Sequence, residues 1–173
     1  KLQVHVIFSD ELDIDVIEQN FINALQFSTG ESECPLNKIN VERFGKEMKN
    51  RGVGGSGSDL LVGTNSIAVS LNDLRNLCDR KEFKGKTVIV LAEEDQSSIK
   101  WEGQAGSTRF KYYNMSDAIF TSNNKTIDWC LSKECEETVG KCLPFLWGSD
   151  AHDFEKIFVV DNDKFCWIKA DVT

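Results

Sequence analysis

No stretch of about 18 uncharged apolar residues occurs in this chain, so the sequence predicts no membrane-spanning helix and no membrane partner. Positive charge is in deficit: 20 Lys and Arg against 28 Asp and Glu leave a net charge of -8. That balance excludes a broad electrostatic grip on a phosphate backbone, though not a local basic pocket. The opening residues, KLQVHVIFSDELD, hold one lysine, a short apolar run and then acids, without the apolar core or small-residue cleavage site of a secretory signal. On that ground the six cysteines are read as thiols, not bridges, and the chain as cytoplasmic. Neither a repeat of fixed period nor a low-complexity segment is present. Histidine is scarce, with His5 and His152 alone.

What is present suits one domain with a real core, since a chain of 173 residues buries roughly 70% of its unfolded surface. LQVHVIF (2 to 8) alternates like a strand, and DIDVIEQNFINALQF follows with Ile14, Ile17, Phe21 and Leu25 at helical spacing. INVERFGKEMKN reads as a short polar helix, RGVGGSGSD (51 to 59) as a flexible glycine loop, and Ser66 to Val69 as a short strand. Ser70 and Asp73 then have capping-box spacing for a helix. KTVIVLAEED lacks alternation, as expected of a strand covered on both faces of a parallel sheet. SDAIFTSN is a further strand, with Ser122 or Asn123 capping a helix that breaks near Ser132. LPFLWGSDAH and DKFCWIKADV are strand-like as well. Several βα units in series predict an α/β fold with a mostly parallel sheet, open or as a partial distorted barrel. In such folds chemistry collects at the carboxyl edge of the strands.

FLWGSDAHD (145 to 153) ends an apolar run on Asp150 and His152, two residues apart on that predicted edge. Asp oxygen and His nitrogen suit a divalent metal (Mn, Zn or Fe), and Asp153 can orient the imidazole; local capping by the same His is the competing reading. The strand at 87 to 92 runs into Glu93, Glu94 and Asp95, close carboxylates that repel unless a cation or a shared proton separates them. Gly103, Gln104, Gly106 and Ser107 follow, small enough at several positions for backbone N–H groups to approach an oxyanion, and Thr108 and Arg109 complete the run. The Arg109 guanidinium suits bidentate phosphate contact. A metal cluster beside a phosphate cradle is a phosphoesterase layout; a solvated acidic loop before an ordinary helix is the alternative.

Other motifs fail on spacing. Gly85-Lys86-Thr87 precedes a strand, and Arg80 stands where a P-loop needs glycine. Cys130, Cys135 and Cys142 do not have a recognised zinc-knuckle spacing. Trp101, Trp129, Trp147 and Trp167 are dispersed in or beside apolar runs and are read as core or pocket wall before base-stacking surfaces.

LWGSDAHDFEKIF, DNDKFCWIKADVT, FKGKTVIVLAEED, WEGQAGSTRF and SDAIFTSNNKTIDWCL together resemble the amino-terminal part of the TrlF-like PHP-ATPase family, whose members are bacterial. The resemblance spans most of the chain and is weakest over 28 to 60. It implies a PHP-type phosphoesterase fold, a distorted βα barrel with metals at its rim, joined to an ATPase region of the same protein. DNA repair and phage defence are the associated processes. By this match Asp150 and His152 are the final metal-ligand pair, while Glu93, Glu94, Asp95, Gln104, Gly106 and Arg109 fall in shared segments to which the resemblance assigns no individual role. From their own chemistry Glu93 is read as a further metal ligand, Arg109 and Glu94 as catalytic, and Gly103, Gln104, Gly106 and Ser107 as the phosphate-binding segment; nucleic-acid ends are the phosphoesters the resemblance implies. Lys169 matches as well. The family's H-x-H strand has no counterpart here, so the resemblance covers the carboxyl-terminal portion (1 to 173) of one such domain. His5 matches a family histidine on a middle strand and is read as buried and hydrogen-bonded before it is read as a ligand. A non-catalytic scaffold for the ATPase is the other function consistent with an incomplete ligand set.

Overall fold

The structure is a computed structural model that describes residues 3 to 92, 103 to 121 and 123 to 146. It divides into two compact units, Lys1–Ile7 with Val88–Thr173, and Phe8–Thr87.

The first unit is built on a four-stranded sheet in the order β1-β4-β5-β6. Its strands are β1 (Val4–Phe8), β4 (Thr87–Ala92), β5 (Ala118–Phe120) and β6 (Phe145–Leu146). β4, β5 and β6 are mutually parallel, with Leu91 opposite Ile119 and Ile119 opposite Phe145. β1 runs the other way: Ala92 N–H donates to the Gln3 carbonyl and Ser9 N–H to that of Lys86, so numbers fall on one strand as they rise on the other. The fold is therefore α/β with a mostly parallel sheet, as the pattern predicted, and the described strands form an open sheet. Ile89, Val90 and Leu91 are buried in succession, the mark of a strand covered on both faces.

The crossovers are α5 (Gly103–Met115) between β4 and β5, and α6 (Asn124–Cys130) with α7 (Lys133–Val139) between β5 and β6. Asn123 caps α6 by accepting from Lys125 N–H, and the helix stops at Leu131 because the Ser132 side chain turns to accept from Cys135 N–H and starts α7. Gly140 closes α7 in the left-handed conformation, φ 79°. Leu91, Tyr113, Ile119, Cys130, Cys135, Val139 and Leu143 form the buried core between helices and sheet. Full burial of each Leu or Ile side chain there is worth about 1.5–3 kcal/mol.

The second unit holds α1 (Ile14–Val16), which widens into a π-helical turn at Ile17–Ile22 where Asn23 N–H reaches back to the Glu18 carbonyl. A hairpin of β2 (Gln26–Ser28) and β3 (Glu33–Pro35) follows, then α2 (Lys38–Asn50), α3 (Asp59–Ser66) and α4 (Leu71–Cys78). Phe8, Phe21 and Phe83 meet edge-to-face, and Phe27, Cys34, Val41 and Phe44 pack a second cluster. Two expectations fail here. The long helix expected through Leu25 ends at Ile22, because 26 to 28 pair as a strand instead, and Ile14, expected on its apolar face, is 78% exposed. The strand expected at 66 to 69 is the end of α3 followed by a single bridge from Val69 to Phe27. Ser58 caps α3 by accepting from Leu61 N–H, which commits the following residues to helix.

Candidate functional site

Parallel pairing gives the sheet a common carboxyl edge. Ala92, Phe120 and Leu146 end β4, β5 and β6 in one register row, so the three strands finish side by side at the carboxyl edge. At about 4.8 Å per strand, the ends of β4 and β6 are roughly 10 Å apart. β4 and β6 therefore end, at Ala92 and Leu146, on the same edge of the sheet.

Asp150, His152, Glu93 and Glu94 themselves lie outside the described residues, as do Asp95, Asp153 and Lys169. Their donor chemistry, carboxylate oxygen and imidazole nitrogen, is that of a Mn, Zn or Fe site. Among the described residues no group of three His, Cys, Asp or Glu side chains converges as a metal site. Gly103 and Gln104 fall in the first turn of α5, where backbone N–H groups lack intrahelical acceptors. Gly106 and Ser107 lie further in, where the amides are committed to the helix; Gly106 is buried and Ser107 exposed.

Arg109 is the predicted residue whose surroundings are best defined. It stands in the second turn of α5, half-buried, and donates from Nη2 to the Tyr113 hydroxyl at 3.1 Å. Its guanidinium carbon lies 5.5 Å from the Tyr113 ring centroid, a cation–π placement. Tyr113 is fully buried and packs 5.4 Å from the Trp129 ring, so the guanidinium rests on a fixed aromatic base. An open cleft of about 180 Å³ lies beside it, lined by Arg109 and Tyr113 of α5 and by Lys125, Thr126 and Trp129 of α6.

Lys125 and Thr126 were absent from the residues singled out by sequence, while Trp129, expected as core or pocket wall, lines the cleft and packs on the core. The available signal was periodicity: residues four apart share a helix face, as Lys125 does with Trp129 and Arg109 with Tyr113. Three residues separate the end of β5 from the start of α6, so the helix begins near the carboxyl edge. His5 departs from its expected setting. It is exposed on the antiparallel edge strand, its ring edge-on to Phe120 at 5.1 Å, because the outer strand leaves alternate residues uncovered.

The described cysteines are free thiols, with Cys34, Cys78, Cys130 and Cys135 buried and Cys142 exposed. Burial pushes the Cys135 thiol above its ordinary range; the Leu143 backbone hydrogen bond opposes the rise and Cys142 adds to it. Among the described residues no helix is long and apolar enough to cross a membrane. Compared with protein-family models, curated proteins and solved structures, the chain matches none.

Proposed function

We propose that this chain is part of a PHP-type, metal-dependent phosphoesterase domain of a larger, cytoplasmic bacterial protein linked to an ATPase, acting on phosphoesters such as nucleic-acid ends. The observation that carries this reading is the register row Ala92, Phe120 and Leu146, which ends three parallel strands together with Arg109 on the adjoining helix. Residues that follow β4 and β6 in sequence are taken to share one centre, and the side-by-side ends of those strands support it. Asp150, His152 and Glu93 would hold the metal, and the exposed imidazole of His5, beside the last residue of β5, is a further candidate ligand. A divalent metal bound there would supply Lewis-acid polarisation of the phosphoryl group and lower the pKa of a water. Arg109, oriented by Tyr113, neutralises charge developing on the phosphoryl oxygens. Glu94 is placed by sequence to exchange a proton with the attacking or leaving oxygen.

The test is turnover in the full-length protein. Asp150→Ala and His152→Ala should each abolish metal-stimulated phosphatase or nuclease activity, and unchanged turnover overturns the proposal. Metal analysis separates it from a scaffold role: a preparation without stoichiometric transition metal, not rescued by added Mn, favours the scaffold.

A further inference from the structure

The cleft between α5 and α6 combines three features that converge on one ligand chemistry. Its described lining carries two cations, Arg109 and Lys125, and no carboxylate, in a chain whose net charge is -8. Concentrating positive charge in one concavity against that background selects for an anion. Arg109 is held on Tyr113, so part of its ordering cost is met before any ligand arrives. Lys125 is exposed, and among the described residues its ammonium makes no ion pair. Thr126, on the same turn, adds a hydroxyl that can donate to an oxyanion.

The third feature is aromatic. Trp129 is half-buried and packs against the core cluster and Tyr113. It also lines the cleft. A cleft of about 180 Å³ is too small to enclose a nucleotide but, being open, can hold a phosphate while an attached planar ring lies against the indole. Bare phosphate would use the cations and leave the aromatic wall idle.

We infer that the cleft binds a nucleotide unit, its phosphate between Arg109, Lys125 and Thr126 and its base against Trp129. The inference stands on the cleft alone and does not need the hydrolase reading, so it is tested with metal removed. In EDTA the full-length protein should bind a 5′-phosphorylated single-stranded oligonucleotide, with affinity falling as salt rises. A nucleoside monophosphate should bind more weakly, and inorganic phosphate more weakly still. Lys125→Ala, at an exposed position that folding does not use, should weaken calorimetric affinity about tenfold, the loss expected for one charge-assisted contact. Arg109→Lys should weaken it by a similar factor while leaving the fold intact. Ligand quenching of tryptophan emission should disappear in Trp129→Phe. Equal affinity for inorganic phosphate and nucleotide, unchanged binding by both cation variants, or quenching that survives Trp129→Phe would each overturn the assignment.

Discussion

Ile89 and Asp117 exchange two hydrogen bonds, each of 2.8 Å: Ile89 N–H donates to the Asp117 carboxylate, and Asp117 N–H donates to the Ile89 carbonyl. The side chain thus stands in for a backbone carbonyl one step before β5 begins, and it sets the register that brings Ala92 opposite Phe120. Removing the carboxylate strands a strand amide in a partly buried position, which costs about 1–3 kcal/mol. Asp117→Ala should lower the urea midpoint accordingly, whereas Asp117→Asn, which retains an acceptor oxygen, should recover most of the loss. Equal midpoints for both variants and the parent would show that this pair does not hold the strand.

Gly45 and Gly63 mark where α2 and α3 cross at backbone contact. A Cβ on Gly45 would sit 1.8 Å from the Asp59 carbonyl oxygen, and one on Gly63 2.1 Å from that of Val41. Lys49 reaches across the same crossing to Asp59 at 2.9 Å, between partly exposed groups whose pairing is worth well under 1 kcal/mol. On an exposed helix Gly→Ala would stabilise by about 1 kcal/mol. Here the sign reverses, because the clash is with backbone and the helices must part. Gly45→Ala and Gly63→Ala should each destabilise by about 1–3 kcal/mol or more, read as a lower thermal midpoint. A raised midpoint would refute the close crossing.

How much of this was legible from sequence depended on range. Ser70 caps α4 where its spacing placed it, Asn123 is the one of the two expected candidates that caps α6, and the break expected near Ser132 is there with Ser132 capping the next helix, because a cap is decided within four residues. The apolar run at Thr87–Ala92 announced a doubly covered strand through composition alone. Ser66 to Val69 misled because β-branched residues favour a strand locally, while Ser58 and the crossing at Gly63 recruit Ser66 into helix from outside the window. The hairpin of β2 and β3 was missed since its strands are three residues each, too short for alternation to register. Within the candidate site, Arg109 was visible through its glycine-rich approach. Trp129 was visible as core or pocket wall but Lys125 was not, because a cation and an indole four apart on a helix mean little until another helix supplies the facing wall.

Lys141 closes the end of α5 from a distance. Its ammonium donates to the carbonyls of Asn114 at 2.7 Å, in the last turn, and Ser116 at 2.6 Å, just past it, where helix-end carbonyls need donors from outside the helix. Since α5 carries Arg109 and Tyr113, fraying there would loosen the cleft floor. Lys141→Met keeps the aliphatic stem and removes the donors; it should cost about 1–2 kcal/mol in chemical denaturation and raise amide exchange near Tyr113. Exchange rates matching the parent would assign Lys141 to the surface alone.

Cys135 links stability to pH. Its thiol is fully buried, and burial raises its pKa above the ordinary value of 9.0. For an acid shifted upward by folding, the folded chain keeps a proton that the unfolded chain has already released. The contribution is therefore complete below about pH 9 and is lost as pH climbs from there through the folded value, since the unfolded state binds fewer protons across that window. Cys135→Ala removes this dependence at the cost of a small cavity, so it should be less stable than the parent at pH 7 while its stability falls less steeply above pH 9. Exposed Cys142 supplies the internal contrast: a thiol-specific reagent should label it in the native protein and reach Cys135 only on unfolding. Parallel pH profiles for parent and variant, or native labelling of Cys135, would show that the thiol is not held in the dry core formed with Leu143 and Val139.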